Sequence, residues 1–305
     1  PESVKVRIRE FLAKVDLSSP RHTWTKKVSI GFMHDTNVNA GPDNSVLAAF
    51  PTGTTVATEV SDNALQITAG VSHRFISGRN FNFANSQPAF LWLSQANYYR
   101  TDYRDEDDFD LDIISVSTGP YLIEANKWRA GVNVQLDHVD LGSDNYGLFT
   151  ALNPSFTYIL HEGKTEVTVD ALAQNRNYKR AVDNGRDSKY YVAGISVGHI
   201  LKKQGLSIQE GVRVFDENAD AANFDNDGYE VFLGANYRAS AYTTIYAKVS
   251  GRDINYDTSA LEETKNRYVL RAHHEFKSGA MKKWVVRASY TLTDNQSNQA
   301  LSDYD

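Results

Sequence analysis

Residues 229–238 read YEVFLGANYR, and this stretch decides the fold class of the chain. Its odd positions, from Tyr229 to Tyr237, are aromatic or aliphatic, whereas the even positions include a glutamate, a glycine, an asparagine and an arginine. Successive side chains of a β-strand point to opposite faces, so a period of two gives one apolar and one polar face. The stretch therefore predicts a β-strand with a different environment on each side.

The same alternation recurs along almost the whole chain. Residues 128–137 and 284–292 repeat it, each with a tryptophan at the start. Each segment is long enough for a tilted strand to cross a membrane. About thirteen such segments begin near residues 24, 63, 89, 111, 127, 147, 165, 189, 206, 228, 243, 267 and 283. The sequence predicts an all-β fold, an antiparallel transmembrane β-barrel.

The connections between the segments alternate in length. Those after even-numbered segments are mostly short, such as 124–127 and 161–164, although the one after the second segment is long. Those after odd-numbered segments are long and polar, and comprise residues 34–62, 101–110, 137–146, 175–188, 216–227 and 252–266. Short turns at one rim and long loops at the other are typical of outer-membrane barrels.

The four tryptophans provide an independent test. Tryptophan prefers the interface between membrane and water, and Trp24, Trp92, Trp128 and Trp284 all begin odd-numbered segments, at the short-turn rim. We predict that they form one membrane girdle, and that outward tyrosines form a second girdle at the opposite rim. A soluble β-sandwich with aromatic residues at one end of its core is the alternative.

The strand count is odd, whereas bacterial single-chain barrels have an even number of strands. The thirteenth segment runs towards the long-loop rim, and a polar stretch follows it to Asp305. We therefore expect about fourteen strands in the intact barrel, about thirteen of them visible in this sequence and the last one beyond Asp305.

Composition excludes several other classes of protein. The 305 residues carry a net charge of −6, with 32 Lys and Arg against 38 Asp and Glu, so no basic excess attracts nucleic acid. The absence of cysteine excludes disulfides and thiolate metal sites. No apolar run approaches the roughly 18 residues of a membrane helix.

Two motifs carry a resemblance to a known family. Residues 1–19, PESVKVRIREFLAKVDLSS, predict an amphipathic helix, and a tryptophan-led strand follows that ends in GFMHDTNVNAG. The Asp-Thr-Asn-Val-Asn run in it resembles the Asp-Ser/Thr-Asn-Val/Ile-Asn signature of the surface lipoprotein assembly modifier (Slam) family. Residues 109–122, FDLDIISVSTGPYL, are similar to that family's fourth strand. The signature residues are Asp35, Thr36, Asn37, Val38 and Asn39.

The resemblance implies an outer-membrane translocon that delivers lipoproteins or related haem-binding cargo from the periplasm to the cell surface, without a cofactor. Its partners would be that cargo, outer-membrane lipid and the barrel-assembly machinery. Family members usually carry tetratricopeptide-like (TPR) helix pairs before the barrel. Residues 1–19 would then be the terminal helix of a truncated periplasmic helical-repeat domain, and residues 20–305 the barrel lacking its last strand. A passive porin or a polysaccharide-export barrel would use the same strands and is the alternative.

The polar faces of the predicted strands place charged side chains in the lumen. They would either line a route for cargo or fill a wet interior with salt bridges. The predicted lumen-lining charges are Arg74, Arg129, Asp170, Glu230, Arg238, Lys248, Arg271, Glu275 and Arg287.

Two further patterns resemble sites of chemistry. Residues 216–227 have calcium-loop spacing, but an alanine replaces the required glycine and an aspartate the final glutamate, which favours a solvated loop. His34 with Asp35, and His138 with Asp140, are candidate hydrolytic pairs. Adjacent strand residues point to opposite faces, which argues against the first pair. We predict no metal site and no enzymatic activity.

Overall fold

The computed structural model describes residues 21–40 and 58–298, apart from residues 81, 84, 85, 184, 202–204, 259, 260, 280 and 283 and the side chains of 78–80. The predicted helix over residues 1–19 lies outside the described residues. Within the part of the chain that is described, no helix is long and apolar enough to cross a membrane.

Thirteen antiparallel strands form one sheet, which confirms the predicted all-β fold and the strand count. Each strand pairs with the next along the chain, so the order in the sheet is the order in sequence, with the first and last strands at the edges of the described sheet. The strands are β1 (His22–Asp35), β2 (Asp62–Asn80), β3 (Ala89–Tyr103), β4 (Leu111–Glu124), β5 (Trp128–Leu141), β6 (Asp144–Leu160), β7 (Thr165–Tyr178), β8 (Ser188–Leu201), β9 (Leu206–Ala219), β10 (Asn226–Arg238), β11 (Thr243–Tyr256), β12 (Glu262–Glu275) and β13 (Val285–Ser297).

The connections at the long-loop rim are shorter than the sequence predicts. The expected loop 137–146 is a two-residue turn, because β5 ends at Leu141 and β6 begins at Asp144. Gly142 and Ser143 have φ values of 59° and 69°, as a mirror-image hairpin turn requires. Parts of the other expected loops also belong to strands. Beyond the apolar band both faces of a strand are polar, so the alternation disappears while the backbone pairing continues.

One face of the sheet, here called the outer face, is apolar and exposed. Phe32 is 89% exposed and Val28 74%, and no second sheet covers them among the described residues. The sandwich alternative is therefore wrong, since its apolar faces would be buried between two sheets. Other exposed apolar side chains on the outer face include Ile30, Ile114, Val116, Val132, Val134, Leu136, Val212, Val214, Val231, Leu233, Val249, Leu270 and Leu292.

The opposite face, here called the inner face, is concave. Adjacent strands lie about 4.8 Å apart, so positions three strands apart are separated by roughly 14 Å in a flat sheet. Arg252 of β11 nevertheless donates a hydrogen bond to the Tyr190 hydroxyl of β8 at 3.3 Å. Tyr190 also joins Phe215 and Ile254, from β9 and β11, in a buried cluster. Such contacts show that the sheet curls towards its inner face.

Candidate functional site

The inner face carries all nine charged residues that the sequence places in the lumen. Their strand register puts each of them on the side opposite the exposed apolar band. Two of the nine pair with each other, since Lys248 Nζ donates to Glu230 Oε1 at 3.3 Å. Arg74 instead donates to the Thr23 hydroxyl at 3.0 Å, and Arg238 to the Ala241 carbonyl at 3.4 Å.

Two of the strongest ion pairs on the inner face include residues that the sequence analysis missed. Arg129 binds both carboxylate oxygens of Glu166, at 2.8 and 3.3 Å, near the short-turn rim. Arg176 Nη1 lies 2.8 and 2.9 Å from the oxygens of Glu217, which also accepts a 2.6 Å bond from Ser188. Charge-assisted, multiply bonded pairs of this kind are stronger and more directional than single neutral bonds. The first pair links β5 to β7 near the short-turn rim, and the second links β7 to β9 near the long-loop rim.

A row of alternating charge crosses the inner face between these two pairs. Each residue in the row is the register partner of the next one on the neighbouring strand, in the order Asp170, Gly194, Arg213, Glu230 and Arg252. Arg213 Nη2 lies 3.5 Å from Asp170 Oδ2, although β8 separates their strands. Gly194 makes this reach possible, because a Cβ there would lie 2.7 Å from Arg213 Cγ. Each charge in the row therefore has a neighbour of opposite sign.

Aromatic rings hold two of the inner arginines in place. The Arg252 guanidinium carbon lies 3.9 Å from the centre of the Phe215 ring, and that of Arg176 lies 3.9 Å from the centre of the Tyr190 ring. A guanidinium stacked on an aromatic face gains cation–π attraction and loses rotational freedom. These arginines are therefore fixed features of the wall.

The row borders a cavity of about 400 Å³ on the inner face. Its polar lining includes Asn133, Asn153 and Ser155 besides the charged row, and Tyr121 forms part of its wall. The volume falls in the range of small-molecule sites, roughly 300–1,000 Å³. The cavity is a candidate for contact with a solute on the inner face.

The four tryptophans lie at the short-turn end of the sheet, as the sequence places them. Trp24 and Trp284 are exposed, Trp92 donates through its indole nitrogen to the Thr118 hydroxyl at 2.8 Å, and Trp128 is half-buried. Four exposed tyrosines of the outer face, Tyr191, Tyr229, Tyr268 and Tyr290, lie towards the other rim, whereas Tyr158 and Tyr237 lie near the short-turn rim.

Residues 35–39, the run that resembles the Slam signature, form a hydrogen-bonded exit from β1. Asp35 accepts bonds from the Asn37 backbone nitrogen at 3.1 Å and from the Tyr103 hydroxyl of β3 at 3.0 Å. The first of these is a local turn of the kind that Asp commonly makes. Asp35 therefore ends the strand and also ties its end to β3.

The second half of the signature ties the exit to the returning chain. Asn39 donates to the Thr58 carbonyl at 2.8 Å and accepts from the Val60 nitrogen at 3.0 Å. The Val38 nitrogen donates to the Val60 carbonyl at 2.8 Å. These bonds join the start of the connection between β1 and β2 to its end. We call the two joined segments, residues 35–39 and 58–60, the neck.

The two candidate hydrolytic pairs differ in geometry. His34 bonds to Asn63 at 3.1 Å on the outer face, while Asp35 lies on the inner face, so the two do not meet. His138 Nε2 does lie 3.2 Å from Asp140 Oδ1, but both are on the outer face near the long-loop rim. The pair therefore faces away from the cavity.

The calcium-type spacing does not correspond to a loop. Asp216 and Asp227, which would be the first and last ligands, are direct register partners in β9 and β10. The connection itself covers residues 220–225, where Asp225 accepts a bond from the Ala219 nitrogen. The sequence prediction of a solvated loop over 216–227 is therefore wrong in extent, because strand pairing continues past the membrane band.

The connection between β7 and β8 is held by a buried carboxylate. Asp183 accepts bonds from Arg180 Nε at 2.8 Å and from Arg186 Nη1 at 3.1 Å. Burial alone would raise the pKa of Asp183, but the two arginine bonds outweigh it, and the pKa is lowered below its ordinary value of 3.8. The charged carboxylate therefore stabilises this connection.

Comparison with known proteins gives a likeness of architecture. No protein-family model matches the chain, and no curated protein is similar to it. It is similar to the crystal structures of Pseudomonas aeruginosa OccK2 (OpdF), with a TM-score of 0.41, 7% identity and coverage of 91% of this chain and 94% of that one. For Acinetobacter baumannii OccAB2 the TM-score is 0.39, with 12% identity and coverage of 92% and 83%. These scores are too low to carry an argument about function.

The two faces of the sheet assign the chain to a membrane. An exposed apolar outer face, with aromatic residues towards both rims and a polar inner face, is the arrangement of transmembrane β-barrels. Each described strand pairs with the next along the chain, which satisfies the backbone hydrogen bonds of the eleven strands between the two edges, as lipid requires. The described part of the chain is an all-β protein of thirteen antiparallel strands with the two-faced surface of a transmembrane β-barrel.

Proposed function

We propose that this chain forms an outer-membrane pore that lets small hydrophilic solutes pass along the inner face of the barrel. The observation that supports it is the contrast between the two faces: an exposed apolar outer surface and an inner wall of paired charges around a cavity of about 400 Å³. A polar interior is the property that water-filled outer-membrane channels share.

The pairing pattern suits passive passage. Lys248 pairs with Glu230, and Arg213 pairs with Asp170, so each carboxylate that lines the cavity has a cation beside it. Paired charges attract water and polar solutes without holding an ion of one sign tightly, because the pairs partly cancel each other's field. Small hydrophilic solutes would therefore pass the cavity without being held tightly.

Conductance of the full-length protein in planar bilayers tests this function. We expect stepwise openings, and Asp170→Asn should shift the reversal potential in a salt gradient towards anions, because an inner carboxylate is lost. Asp216→Asn is the matched control, since Asp216 lies on the outer face near the long-loop rim. Folded protein that gives no openings would refute the pore, and equal shifts in both variants would refute the assigned inner wall.

A second candidate function, the surface-lipoprotein translocon, has one observation in its favour. The signature that resembles the Slam family is built into the neck, where Asn39 alone makes two bonds to the returning chain. A translocon requires the neck for delivery of cargo, whereas a passive pore does not require it for conductance.

Surface display separates the two functions. In cells that lack the gene, the translocon predicts loss of a co-expressed surface lipoprotein from protease-accessible display, and Asn39→Ala should restore display less well than the wild type. Full display in the deletion strain would exclude this candidate. The pore function would remain, because conductance is measured without cargo.

A further inference from the structure

The cavity on the inner face contains hydrogen-bond donors that the protein does not use. Arg252 Nε and Asn153 Nδ2 are both buried and have no hydrogen-bond partner, and both residues line the cavity. A buried donor without a partner costs roughly 1–3 kcal/mol. These two donors beside one cavity are available to a molecule with acceptor oxygens.

Position and packing restrict how these donors can move. Arg252 is stacked on Phe215 at 3.9 Å and donates through Nη2 to Tyr190, so its guanidinium cannot turn freely to satisfy Nε elsewhere. Asn153 lies directly opposite Asn133 in the β5–β6 pair, and Ser155 follows on the same face. The donors and their neutral neighbours are therefore preorganised, which lowers the entropy cost of binding.

The charges around the cavity favour a neutral ligand. Two arginines, Arg213 and Arg252, and two carboxylates, Asp170 and Glu230, line it, so the charged lining sums to zero. Asp170 is paired with Arg213, and Glu230 with Lys248. An anion would gain from the arginines but would meet two carboxylates at the same wall. A neutral molecule that both donates and accepts hydrogen bonds avoids this cost.

Tyr121 adds an apolar surface to the cavity wall. A Cβ at Gly131 would lie 2.3 Å from the Tyr121 ring, so the glycine allows the ring to pack closely against the backbone of β5. The ring also lines the cavity. A flat apolar surface beside amide and hydroxyl groups matches a ring with CH groups on one face and hydroxyls at its edge.

We propose that this cavity is a binding site for a neutral saccharide, held by Asn153, Asn133 and Arg252 against Tyr121. Hydroxyl oxygens of the sugar would accept from Asn153 Nδ2 and Arg252 Nε, while hydroxyl protons would be donated to the amide and carboxylate oxygens. The site rests on the proposed pore, because a solute reaches the inner face through the open barrel. It makes one class of hydrophilic solute a specific ligand of that pore.

Calorimetric titration of the folded full-length protein in detergent tests the site, with maltose, lactose and sucrose as probes. We expect saturable binding of at least one of the three, weakened at least tenfold by Asn153→Leu, which keeps the volume and removes the donor. Asn97→Leu is the matched control, since Asn97 lies on the inner face of β3 and outside this cavity. Heat-modifiable gel mobility verifies that each variant is folded.

Each result of the titration either supports the site or overturns it. Absence of saturable binding with all three probes would overturn the proposal, and so would binding that Asn153→Leu leaves unchanged. Tighter binding of succinate than of any sugar would overturn it in favour of an anion site. Binding without conductance would refute the pore and keep the site, whereas conductance without binding would do the reverse.

Discussion

Loss of Arg129 should destabilise the barrel far more than loss of an exposed cation at the same rim. Arg129 and Glu166 are 13% and 4% exposed and share two hydrogen bonds. Arg129→Met leaves the Glu166 carboxylate buried without this partner. Breaking a buried pair in this way costs roughly 3–5 kcal/mol. Because the inner face is polar and water can approach, we expect the lower end, about 3 kcal/mol.

Urea unfolding of the protein in lipid vesicles, followed by tryptophan fluorescence, measures this cost. Lys127→Met is the matched control, because Lys127 is 65% exposed and pairs with Glu124 at 3.3 Å in the neighbouring turn. Exposed pairs contribute about 0–1 kcal/mol. The double variant Arg129→Met/Glu166→Met should be more stable than Arg129→Met alone, since no buried charge is left unpaired. Equal losses of stability in Arg129→Met and Lys127→Met would refute the reasoning. So would a double variant that is no more stable than Arg129→Met alone.

Three further predictions follow from the wall, the outer face and the β7–β8 connection. Gly194→Ala should destabilise the protein by about 1 kcal/mol in the same assay, because its Cβ would lie 2.7 Å from Arg213 Cγ, whereas Gly198→Ala meets nothing closer than 3.9 Å and should cost nothing. Val231→Arg should cost about 2–4 kcal/mol in vesicles, because Val231 is an exposed outer-face residue near the middle of its strand. The lowered pKa of Asp183 contributes stability that is present above pH 3.8 and is lost as the pH falls through the folded value. Hydrogen exchange of the connection should therefore differ between Asp183→Asn and the wild type at pH 7, and the difference should shrink as the pH falls below 3.8.

The fold was predictable wherever the two faces of a strand meet different surroundings. In β10 the odd positions contact the apolar side and the even positions the polar side, so sequence alone locates the strand. At the long-loop rim this contrast ends, and the sequence around Gly142 and Ser143 suggests a long loop where the chain makes a tight turn. Backbone pairing in a sheet does not depend on side-chain polarity, so the strands continue where the pattern stops.

The same limit explains which inner residues the sequence analysis missed. Arg176, Glu217 and Arg252 all fall in stretches that the sequence assigns to loops, namely 175–188, 216–227 and 252–266. In the structure each lies in a strand, on the inner face. Extending the alternation of β7, β9 and β11 by a few residues would have found them. Their partners would still be unknown, because Arg176 and Glu217 belong to strands two apart that a curved sheet brings together.

Pairing on the inner face also bears on how the barrel could recognise a solute. A charge that is bonded across the wall, as Arg129 is to Glu166, is committed to structure and has little capacity left for a passing molecule. Recognition of a solute then depends on polar groups that take no part in the ion pairs. On the described inner face these include the donors of Asn153 and Arg252, which line a cavity together with charged and neutral polar side chains. Charge balance therefore directs selectivity towards hydrogen bonding, and a single amide such as Asn153 can have more influence on which solute binds than the ion pairs around it.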